Sequence, residues 1–507
     1  MHKAKIFSPK GGISSTFNPL APKAVFARSS TQPLTRRGSL AETLPTSRMS
    51  RSLKGRPSLR IASGQGFWGD LQRAPIDQAR NGPIDVLVMD YLAEVTMSIM
   101  QKQKLRDPNT GYARDFVEVC TELAPDVVEK GFKIISNAGG VNPVACAEAI
   151  VEGARQRGAT GLKVAVVTGD DLLDRLDDLL ADGVELKHME TGQKLAEVRD
   201  QIVSANAYLG AGPIVEALEL GADIVVTGRT TDTGLTLAPM IHAFGWDVAD
   251  WDKMAAGTVA GHILECGAQS SGGNFTDWQT VPDMAGIGFP IVEARPDGTF
   301  TVTKHEGTGG LVNRGTVSEQ LLYEIGDPTD YITPDVVADF TSIHLEDEGD
   351  DRVRVHGIRG TEDTPFLKVS AAYADGWKAT STLVYAWPDA AKKARAAAEI
   401  LRQRLDALGL QFDEYRAEIL GLSALSEIED QDAPADLDEV QLRVSVRGKD
   451  KEAVTQFGRE IAPLILTGPS AVTGFAGGRP RPSEVIAYWP ALIPKDRVHT
   501  EVRVLEV

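Results

Sequence analysis

The stretch from Thr258 to Trp278 holds the residue types that chemistry on a small molecule requires. It contains a His, a Glu, a Cys, a Gln, an Asn and an Asp among four glycines, and it has no Lys or Arg. Glycine lets backbone approach a ligand closely, and the polar groups can orient that ligand. We therefore predict that this stretch forms one wall of a small-molecule site. The alternative is a glycine-rich helix and turn that packs between two domains.

Three side chains in this stretch are candidates for catalysis. If the segment is helical, His262 and Cys266 lie four residues apart and share a face, so the pair could generate a thiolate nucleophile. His262 with Glu265, three residues on, could instead form a general acid–base pair. A simpler interpretation makes Cys266 a small buried residue and His262 a satisfied polar group, and for Cys266 we prefer it. We predict that Asn274 orients the substrate.

His305 and Glu306 form a second possible acid–base pair, directly before a glycine-rich turn. Adjacent side chains point to opposite faces of a strand. If the segment is extended, at most one of the two therefore reaches a site.

The elements that must position these residues begin near residue 58. Five short apolar runs rich in Val and Ile alternate with helical patterns, which is typical of buried parallel strands. We predict an α/β fold, a doubly wound and mostly parallel sheet covered by helices on both faces. The five predicted strands are Leu59–Ser63, Ile84–Asp90, Phe132–Ser136, Leu162–Thr168 and Ala222–Thr227.

Small polar or acidic residues follow each of these strands. In open α/β sheets ligands bind outside the carboxyl ends of the strands, so we predict a site at this rim. Any single loop could instead be plain turn chemistry. The predicted binding residues of the rim are Gly64, Gly66, Asp90, Asn137, Gly139, Gly140, Arg229 and Asp232.

The rim offers two ways to hold an anion. Backbone N–H groups near Gly139, Gly140 and Gly309 could bind a carboxylate or a developing oxyanion. Arg229 could fork onto a carboxylate, or it could pair with Asp232 or another acid. The sequence leaves both interpretations of Arg229 open.

The first loop also matches G-x-G-x-x-G after a strand, from Gly64 to Gly69, with Asp90 at the end of the next strand. This is the pattern of a turn that binds NAD or FAD. The bulky Phe67 and Trp68 oppose the close approach of a pyrophosphate, however, and Pro75 sits in the first crossover, which is short. We therefore favour a loop that cradles a carboxylate, phosphate or substrate backbone, and we expect no NAD.

A divalent cation such as Mg²⁺ needs only one or two carboxylates. No fixed ligand spacing supports such a site, so we assign no metal ligands. The carboxylates that could serve are Asp90, Glu94, Asp170, Asp232 and Asp277.

The second half of the chain has an α+β pattern with an antiparallel or mixed sheet. Phe289–Val302 alternates around a P-D-G turn and predicts a hairpin. Strands are predicted at Thr341–Leu345, Arg352–Ile358, 440–447, 484–489 and 498–507, with two more in Val369–Tyr385 broken at Asp375-Gly376. Helices are predicted at Pro143–Arg157, Asp171–Leu180, Ser318–Ile325, Asp389–Leu408 and 450–461. Asp389 at the start of the fourth helix and Gly409 past its end match the signals of helix caps. The predicted regions are a basic leader at 1–57, an α/β domain at 58–285, a mixed α+β domain at 286–388 and a C-terminal helix with an α+β segment at 389–507.

Charge is distributed unevenly along the 507 residues. The net charge is −18, yet residues 1–60 hold twelve Lys or Arg and a single acid, Glu42, which leaves −29 for the remainder. An acidic body argues against nucleic acid, which demands a basic face. The Ser- and Arg-rich leader could be a transit peptide, a disordered tail, or a segment before a true start at Met49.

Two further features bear on location. No apolar run is long enough for a membrane span. Three widely separated cysteines, Cys120, Cys146 and Cys266, indicate a reducing compartment. We expect a cytoplasmic protein or, if the leader is a transit peptide, one of the mitochondrial matrix.

With these residues in view, the chain resembles the acyclic terpene utilisation (AtuA-like) family over about residues 59 to 507. The resemblance rests on several long stretches. They are G-Q-G-F-W-G-D, D-Y-L-A-E-V-T-M, N-A-G-G-V-N-P, T-G-R-T-T-D-T-G-L, H-I-L-E-C-G-A-Q-S-S-G-G-N-F-T-D-W, H-E-G-T-G-G-L-V and G-F-A-G-G-R-P-R. It implies a role in the catabolism of acyclic terpenes or branched acids, where carboxylates are handled as coenzyme A thioesters. Larger relatives carry a small ferredoxin-like C-terminal domain, so a separate small chain of that fold is an expected partner.

The leading hypothesis is an enzyme of lyase or hydratase type that acts on an acyl-CoA or a small branched carboxylic acid. One alternative is a non-catalytic binding subunit that docks a ferredoxin-like partner or a carboxylase. Another is an NAD(P)-dependent oxidoreductase. We expect a homo-oligomer with a small-molecule ligand and with neither nucleic acid nor membrane as partner.

Overall fold

The computed structural model describes residues 52–92, 94–422, 424, 437–473 and 478–507. The interpretations of the leader up to residue 51, including the start at Met49, therefore lie outside the described residues. Ala93 and residues 474–477 of the Gly- and Arg-rich segment also lie outside them. Within the described ranges no helix is long and apolar enough to cross a membrane.

The helices are α1 (Ala74–Arg80), α2 (Glu94–Arg106), α3 (Arg114–Lys130), α4 (Pro143–Gln156), α5 (Leu176–Ala181), α6 (Gly212–Glu219), α7 (Gly234–Phe244), α8 (Trp251–Glu265), α9 (Arg314–Leu322), α10 (Ala390–Ala407), α11 (Lys451–Ile461) and α12 (Leu464–Thr467).

The strands are β1 (Leu59–Gln65), β2 (Val86–Met89), β3 (Lys133–Ser136), β4 (Lys163–Thr168), β5 (Ile202–Ala207), β6 (Ile224–Thr227), β7 (Ile291–Ala294), β8 (Phe300–Thr303), β9 (Tyr331–Ile332), β10 (Val337–Asp339), β11 (His344–Gly349), β12 (Arg352–His356), β13 (Arg359–Thr361), β14 (Phe366–Ala386), β15 (Glu414–Leu420), β16 (Glu439–Gly448), β17 (Val472–Thr473), β18 (Ser483–Pro494) and β19 (Glu501–Glu506).

The five predicted parallel strands form the centre of the largest sheet, in the order β1-β2-β3-β6-β4. Alternate residues of these strands face two different cores. Val86 and Val88 pack with residues of α6, α7 and α8, whereas Leu87 and Met89 pack with residues of α3 and α4. Burial on both faces explains why these strands have near-continuous apolar sequences. The predicted α/β fold class is confirmed.

Antiparallel strands extend this sheet at both edges. β7, β8, β12 and β11 follow on the side of β1, and β19 pairs with β4 on the other side. The predicted hairpin is confirmed as β7 and β8, with Gly298 in the left-handed region at φ +87°. Strands of the predicted regions 286–388 and 389–507 thus join the sheet of the predicted domain 58–285. The predicted domain boundaries remain a prediction.

A second sheet is built around β14, where two strands were predicted. That prediction is wrong, because Phe366–Ala386 is one strand with an irregularity between Ala374 and Trp377. Gly376 lies there at φ +95°, and a Cβ at this position would be 2.7 Å from Gly448 O. The Asp-Gly pair therefore bends the strand without ending it. β14 pairs with β16, β17, β18 and the unpredicted β5.

One predicted helix cap is also corrected. Gly409 follows α10 in the left-handed region at φ +70°, as predicted for a helix end. Asp389 precedes α10 but makes no capping hydrogen bond, since its own φ is +58°. Its carboxylate instead accepts from Lys392 Nζ at 2.8 Å.

Candidate functional site

The loops after the parallel strands meet at one rim of the sheet. Asn137, after β3, donates from Nδ2 to Asp90 Oδ1 at 2.8 Å and accepts from Tyr91 N at 2.8 Å. Arg229, after β6, donates from Nη1 to Leu92 O at 2.8 Å. The predicted convergence of these loops is therefore observed, and Asn137 acts by fixing Asp90.

Asp170, after β4, supports this rim from behind. Its Oδ2 accepts from Arg229 N at 2.7 Å and from Asn206 Nδ2 at 2.9 Å. A Cβ at Gly228 would lie 2.2 Å from Asp170 Oδ1, so only glycine permits this approach. Burial raises the pKa of Asp170 to about 7.

The opposite wall is the end of α8 and the loop that follows it. A Cβ at Gly66 would lie 2.5 Å from Gly267 N, and a Cβ at Gly261 would lie 2.6 Å from Thr233 Cα. These glycines bring the loop after β1 and helix α8 into backbone contact with their neighbours. The Thr258–Trp278 stretch consequently lies against the strand rim.

A cavity of about 520 Å³ lies between the rim and this wall. Five of its lining residues carry carboxylates, and within the described residues Arg229 is the cationic side chain of the lining. Its lining comprises Gly66, Phe67, Asp70, Asp90, Leu92, Arg229, Asp232, Glu265, Cys266, Ala268, Gln269, Gly273, Asn274, Tyr323 and Glu324.

Asp90 is a buried carboxyl group on the rim side of the cavity, with 7% of its surface exposed. Burial raises its pKa well above the ordinary value, and the nearby Asp232 raises it further. Arg229 and the amide of Asn137 oppose this rise but do not cancel it. Asp90 is therefore suited to hold a proton that it can give to a substrate.

Arg229 pairs with an acid, which was one of its two predicted roles. Its Nη1 lies 2.8 Å from Asp232 Oδ1, and its guanidinium stacks 4.0 Å from the ring centre of Tyr208. Burial disfavours its charge, yet the pKa of Arg229 is raised because Asp232, Tyr208 and Asp90 outweigh burial. The Nε group has no hydrogen-bond partner among the residues that the structure describes.

Glu265 and His262 form a pair at the wall. His262 Nδ1 lies 2.9 Å from Glu265 Oε1, an ion-pair distance, although the angle is not that of a hydrogen bond. Glu265 lines the cavity, whereas His262 is 1% exposed behind it and packs against Tyr331 and Phe340. Glu265 is thus the member that can reach a ligand, and His262 can only act through it.

The surroundings fix where the protons of this pair lie. His262 Nε2 is 3.0 Å from Gln320 O, and because a carbonyl only accepts, Nε2 must carry a proton. Nδ1 and a carboxylate oxygen 2.9 Å apart would repel each other if both were bare acceptors, so at least one of the two groups is protonated. Burial raises the pKa of Glu265, and His262 opposes this rise. Burial lowers the pKa of His262, whereas Glu265 raises it, and the pKa of His262 is raised overall. If that proton lies on His262, Glu265 is a carboxylate that can accept a further proton, and the pair then changes from neutral to a charge of +1.

Gln320 was not predicted, and it organises this wall from α9. Its Nε2 donates to His262 O at 2.7 Å, and its Oε1 accepts from Gln269 Nε2 at 2.8 Å. Asn274 Nδ2 in turn donates to Gln269 Oε1 at 3.0 Å. A chain of amides therefore connects the buried histidine to Asn274 at the cavity.

The thiolate interpretation of Cys266 does not fit its environment. Burial raises the pKa of the Cys266 thiol, and the neighbouring Glu265 raises it further. A reactive cysteine needs a lowered pKa. The preferred interpretation of Cys266 as a small packed residue is the one that its surroundings support.

The predicted anion-binding N–H groups are not available, which corrects that expectation. Gly139 N donates to Thr227 O, Gly140 N donates to Asn137 O, and Gly309 N donates to Gly286 O. Each group already bonds a backbone carbonyl, so none can hold an oxyanion. Gly309 also lies outside the cavity lining.

The structure does not bring His305 and Glu306 to this cavity. They line a separate cavity of about 580 Å³. His305 Nε2 lies 2.9 Å from Gln78 O and His305 is 4% exposed, whereas Glu306 is exposed. Both residues follow the end of β8, with Glu306 in a turn, so the alternation of a strand does not apply to them.

The loop with the G-x-G-x-x-G pattern serves chain packing. A Cβ at Gly64 would lie 3.0 Å from the side chains of Leu87 and Met89, and Gly66 faces the backbone at Gly267. The helix that follows starts only at Ala74 and spans seven residues. The loop therefore does not present a helix N-terminus to a pyrophosphate, which the NAD interpretation requires.

The carboxylates considered for Mg²⁺ are divided among several places. Asp90 and Asp232 line the cavity, Asp170 lies behind the rim, and Asp277 is exposed on a turn. The side chain of Glu94 lies outside the described residues. In the ranges that the structure describes, no group of three or more His, Cys, Asp or Glu side chains could hold a metal ion.

Two lining residues, Tyr323 and Glu324, had no signal in the sequence. They follow α9 in a loop without a motif, and Glu324 lies in the left-handed region at φ +56°. A non-glycine residue in this region is strained, and such strain often occurs at functional sites. Tyr323 also borders an adjoining groove of about 390 Å³ lined by Gln269, Asn274 and Gln320.

Comparison with known proteins identifies one relationship. The model of a protein family described as acyclic terpene utilisation family protein AtuA matches residues 59–504, which is most of the chain. No curated protein and no solved structure matches the chain.

Proposed function

Because this chain belongs to the acyclic terpene utilisation family, and membership supports a role in acyclic terpene utilisation, we propose that its cavity adds water to, or removes it from, a branched acyclic acyl group. The substrate would be an acyl thioester or a small carboxylic acid. The reaction would be of hydratase or lyase type.

One observation carries this proposal: two carboxyl groups with raised pKa values, Asp90 buried and Glu265 largely buried, line the same cavity from opposite walls. Asp90 is held by Asn137 on the strand rim, and Glu265 is backed by His262 on α8. A hydratase needs one group that removes a proton and another that gives one. Carboxyl groups in different environments divide these roles between them.

The proposed steps balance in atoms and charge. Glu265 removes a proton from water, and the oxygen attacks C3 of a 2-enoyl group. Electrons of the C2–C3 double bond move toward the acyl carbonyl, and Asp90 then gives its proton to C2. The proton on the Glu265–His262 pair returns to Asp90 through solvent, and the dehydration runs through the same steps in reverse.

Turnover in ¹⁸O-labelled water tests the reaction directly. The wild-type protein would be incubated with the coenzyme A thioester of 3,7-dimethylocta-2,6-dienoic acid, a simple acyclic terpenoid acyl group. We expect a product heavier by one water that carries ¹⁸O at C3, as measured by mass spectrometry. Absence of water addition, and of water loss from the 3-hydroxy thioester, would overturn the proposal.

A second candidate is a non-catalytic binding subunit. Phe67, Leu322 and Tyr323 border the cavity and its adjoining groove with 60%, 74% and 40% of their surfaces exposed. Exposed apolar groups around a cavity suit a partner that covers it. Three results together would favour this candidate. This chain would be isolated in a stoichiometric complex, it would show no turnover alone, and a complex made with the Glu265→Gln variant would still turn over substrate.

A further inference from the structure

The charge of the cavity restricts what can enter it. Its carboxylates are Asp70, Asp90, Asp232, Glu265 and Glu324, against the guanidinium of Arg229. Even with a proton on Asp90 and a neutral pair of Glu265 with His262, the remaining carboxylates outnumber the cation. A ligand that brings another negative charge would be repelled at contact distance.

Arg229 cannot relieve this repulsion as it stands. It is 2% exposed, and its Nη1 already donates to Asp232 Oδ1 and to Leu92 O, both at 2.8 Å. Its Nε has no hydrogen-bond partner within the described residues, but this atom is buried and is not open to a ligand. Recognition of a carboxylate by arginine usually takes two parallel hydrogen bonds, and Asp232 already accepts from Nη1.

We infer that this cavity selects an uncharged acyl derivative, such as a thioester, ester or amide, and rejects the free carboxylate of the same carbon chain. This inference rests on the proposed function, since it names the substrate class of that site. It argues against the predicted role of Arg229 in binding the carboxylate of a substrate, because Arg229 already pairs with the carboxylate of Asp232.

A matched pair of unreactive ligands isolates the effect of charge. 3,7-Dimethyloctanamide and 3,7-dimethyloctanoate have the same number of non-hydrogen atoms, and neither has a double bond or hydroxyl group on which the enzyme could act. We expect calorimetry at low salt to give at least about tenfold weaker binding of the carboxylate, because like charges at contact distance repel even in water. Added salt should narrow the difference.

Variants of the cavity should change this selectivity in a defined direction. Asp232→Asn removes one repelling charge and frees Arg229, so the carboxylate should gain affinity relative to the amide. Glu324→Gln should give a smaller gain in the same direction. Glu190→Gln removes a charge from an exposed position outside the cavity lining and should leave the ratio unchanged.

The outcomes separate this inference from the proposed reaction. Equal or tighter binding of the carboxylate by the wild-type protein overturns the inference, and so does binding of neither ligand. An unchanged ratio in Asp232→Asn also counts against it. Preference for the amide without any turnover of the unsaturated thioester would leave the selectivity intact and overturn only the hydratase proposal.

Discussion

Two cavities in this molecule each lie beside a histidine and a glutamate that are close together in the chain, yet only one of these pairs is arranged for joint action. In the first, His262 and Glu265 lie three residues apart on α8, with Nδ1 and Oε1 separated by 2.9 Å. In the second, His305 and Glu306 are adjacent, but His305 Nε2 lies 2.9 Å from Gln78 O and Glu306 is exposed to solvent. The comparison shows that the secondary structure beneath a pair decides whether its spacing has chemical meaning.

The charges of the two cavities differ as well. In the His305 cavity, among the described residues, the four lining carboxylates are accompanied by three cationic side chains, and two of the carboxylates are paired: Lys304 Nζ lies 2.9 Å from Asp351 Oδ2, and Arg352 Nη2 lies 2.7 Å from Glu293 Oε2. In the Glu265 cavity carboxylates are in excess. Paired charges of this kind stabilise a surface, whereas unbalanced and buried carboxyl groups with shifted pKa values are typical of functional sites.

The largest expected effect comes from Glu265→Gln. Removal of the proton-accepting oxygen should lower turnover by about 100-fold or more, since a positioned general base contributes roughly that much. Glu306→Gln is the matched control in the other cavity and should leave turnover at the wild-type level. Steady-state rates on the branched 2-enoyl thioester provide the measurement. Similar losses in both variants would erase the distinction between the two cavities.

Glycine substitutions sharpen the comparison, because each cavity is lined by a glycine that lies very close to another part of the chain. A Cβ at Gly66 would lie 2.5 Å from Gly267 N, and one at Gly82 would lie 2.3 Å from His305 Nδ1. Alanine at either position should destabilise the fold by about 1–3 kcal/mol, visible as a lower melting temperature. At a temperature where both variants stay folded, only Gly66→Ala should lose turnover, because it displaces the wall that carries Glu265. Loss of turnover in Gly82→Ala to the same extent would contradict this.

A smaller effect is expected from His262→Gln, and it has a definite sign. His262 favours the carboxylate form of Glu265, so its removal raises the pKa of Glu265 beyond the rise already caused by burial. The acidic limb of the pH–rate profile should therefore move to higher pH. A contact with a charged group is worth about 1.5–3 kcal/mol. Its loss should therefore lower the rate by at least roughly tenfold at pH values on the acidic side of that limb. His305→Gln should leave the limb in place; a shift in that variant instead would argue against the assignment.

The sequence was sufficient to predict the parallel core and the convergence of its loops at one rim. Runs such as Lys163–Thr168 are continuous apolar strands because both faces of the sheet are covered, and the rim follows from their direction. β5 lacked such a run, since Ile202–Ala207 contains Ser and Asn and pairs with a strand far along the chain.

The sequence could not decide which predicted groups remain free to bind a ligand. Gly139 and Gly140 looked able to hold an anion, but tertiary hydrogen bonds already occupy their N–H groups. Likewise Gln320 and Glu324 reach the site from α9 and its following loop, through contacts of long sequence separation. Whether a group is free to bind a ligand, and which residues it contacts, depends on the assembled fold, which the local sequence pattern does not encode.

A crystal structure with bound 3,7-dimethyloctanamide tests the central claim most directly, because it asks which of the two cavities receives an acyl group. The account predicts the amide carbonyl in the Glu265 cavity, between Asp90 and Glu265. Density for the ligand beside His305 instead, with the Glu265 cavity empty, would contradict it.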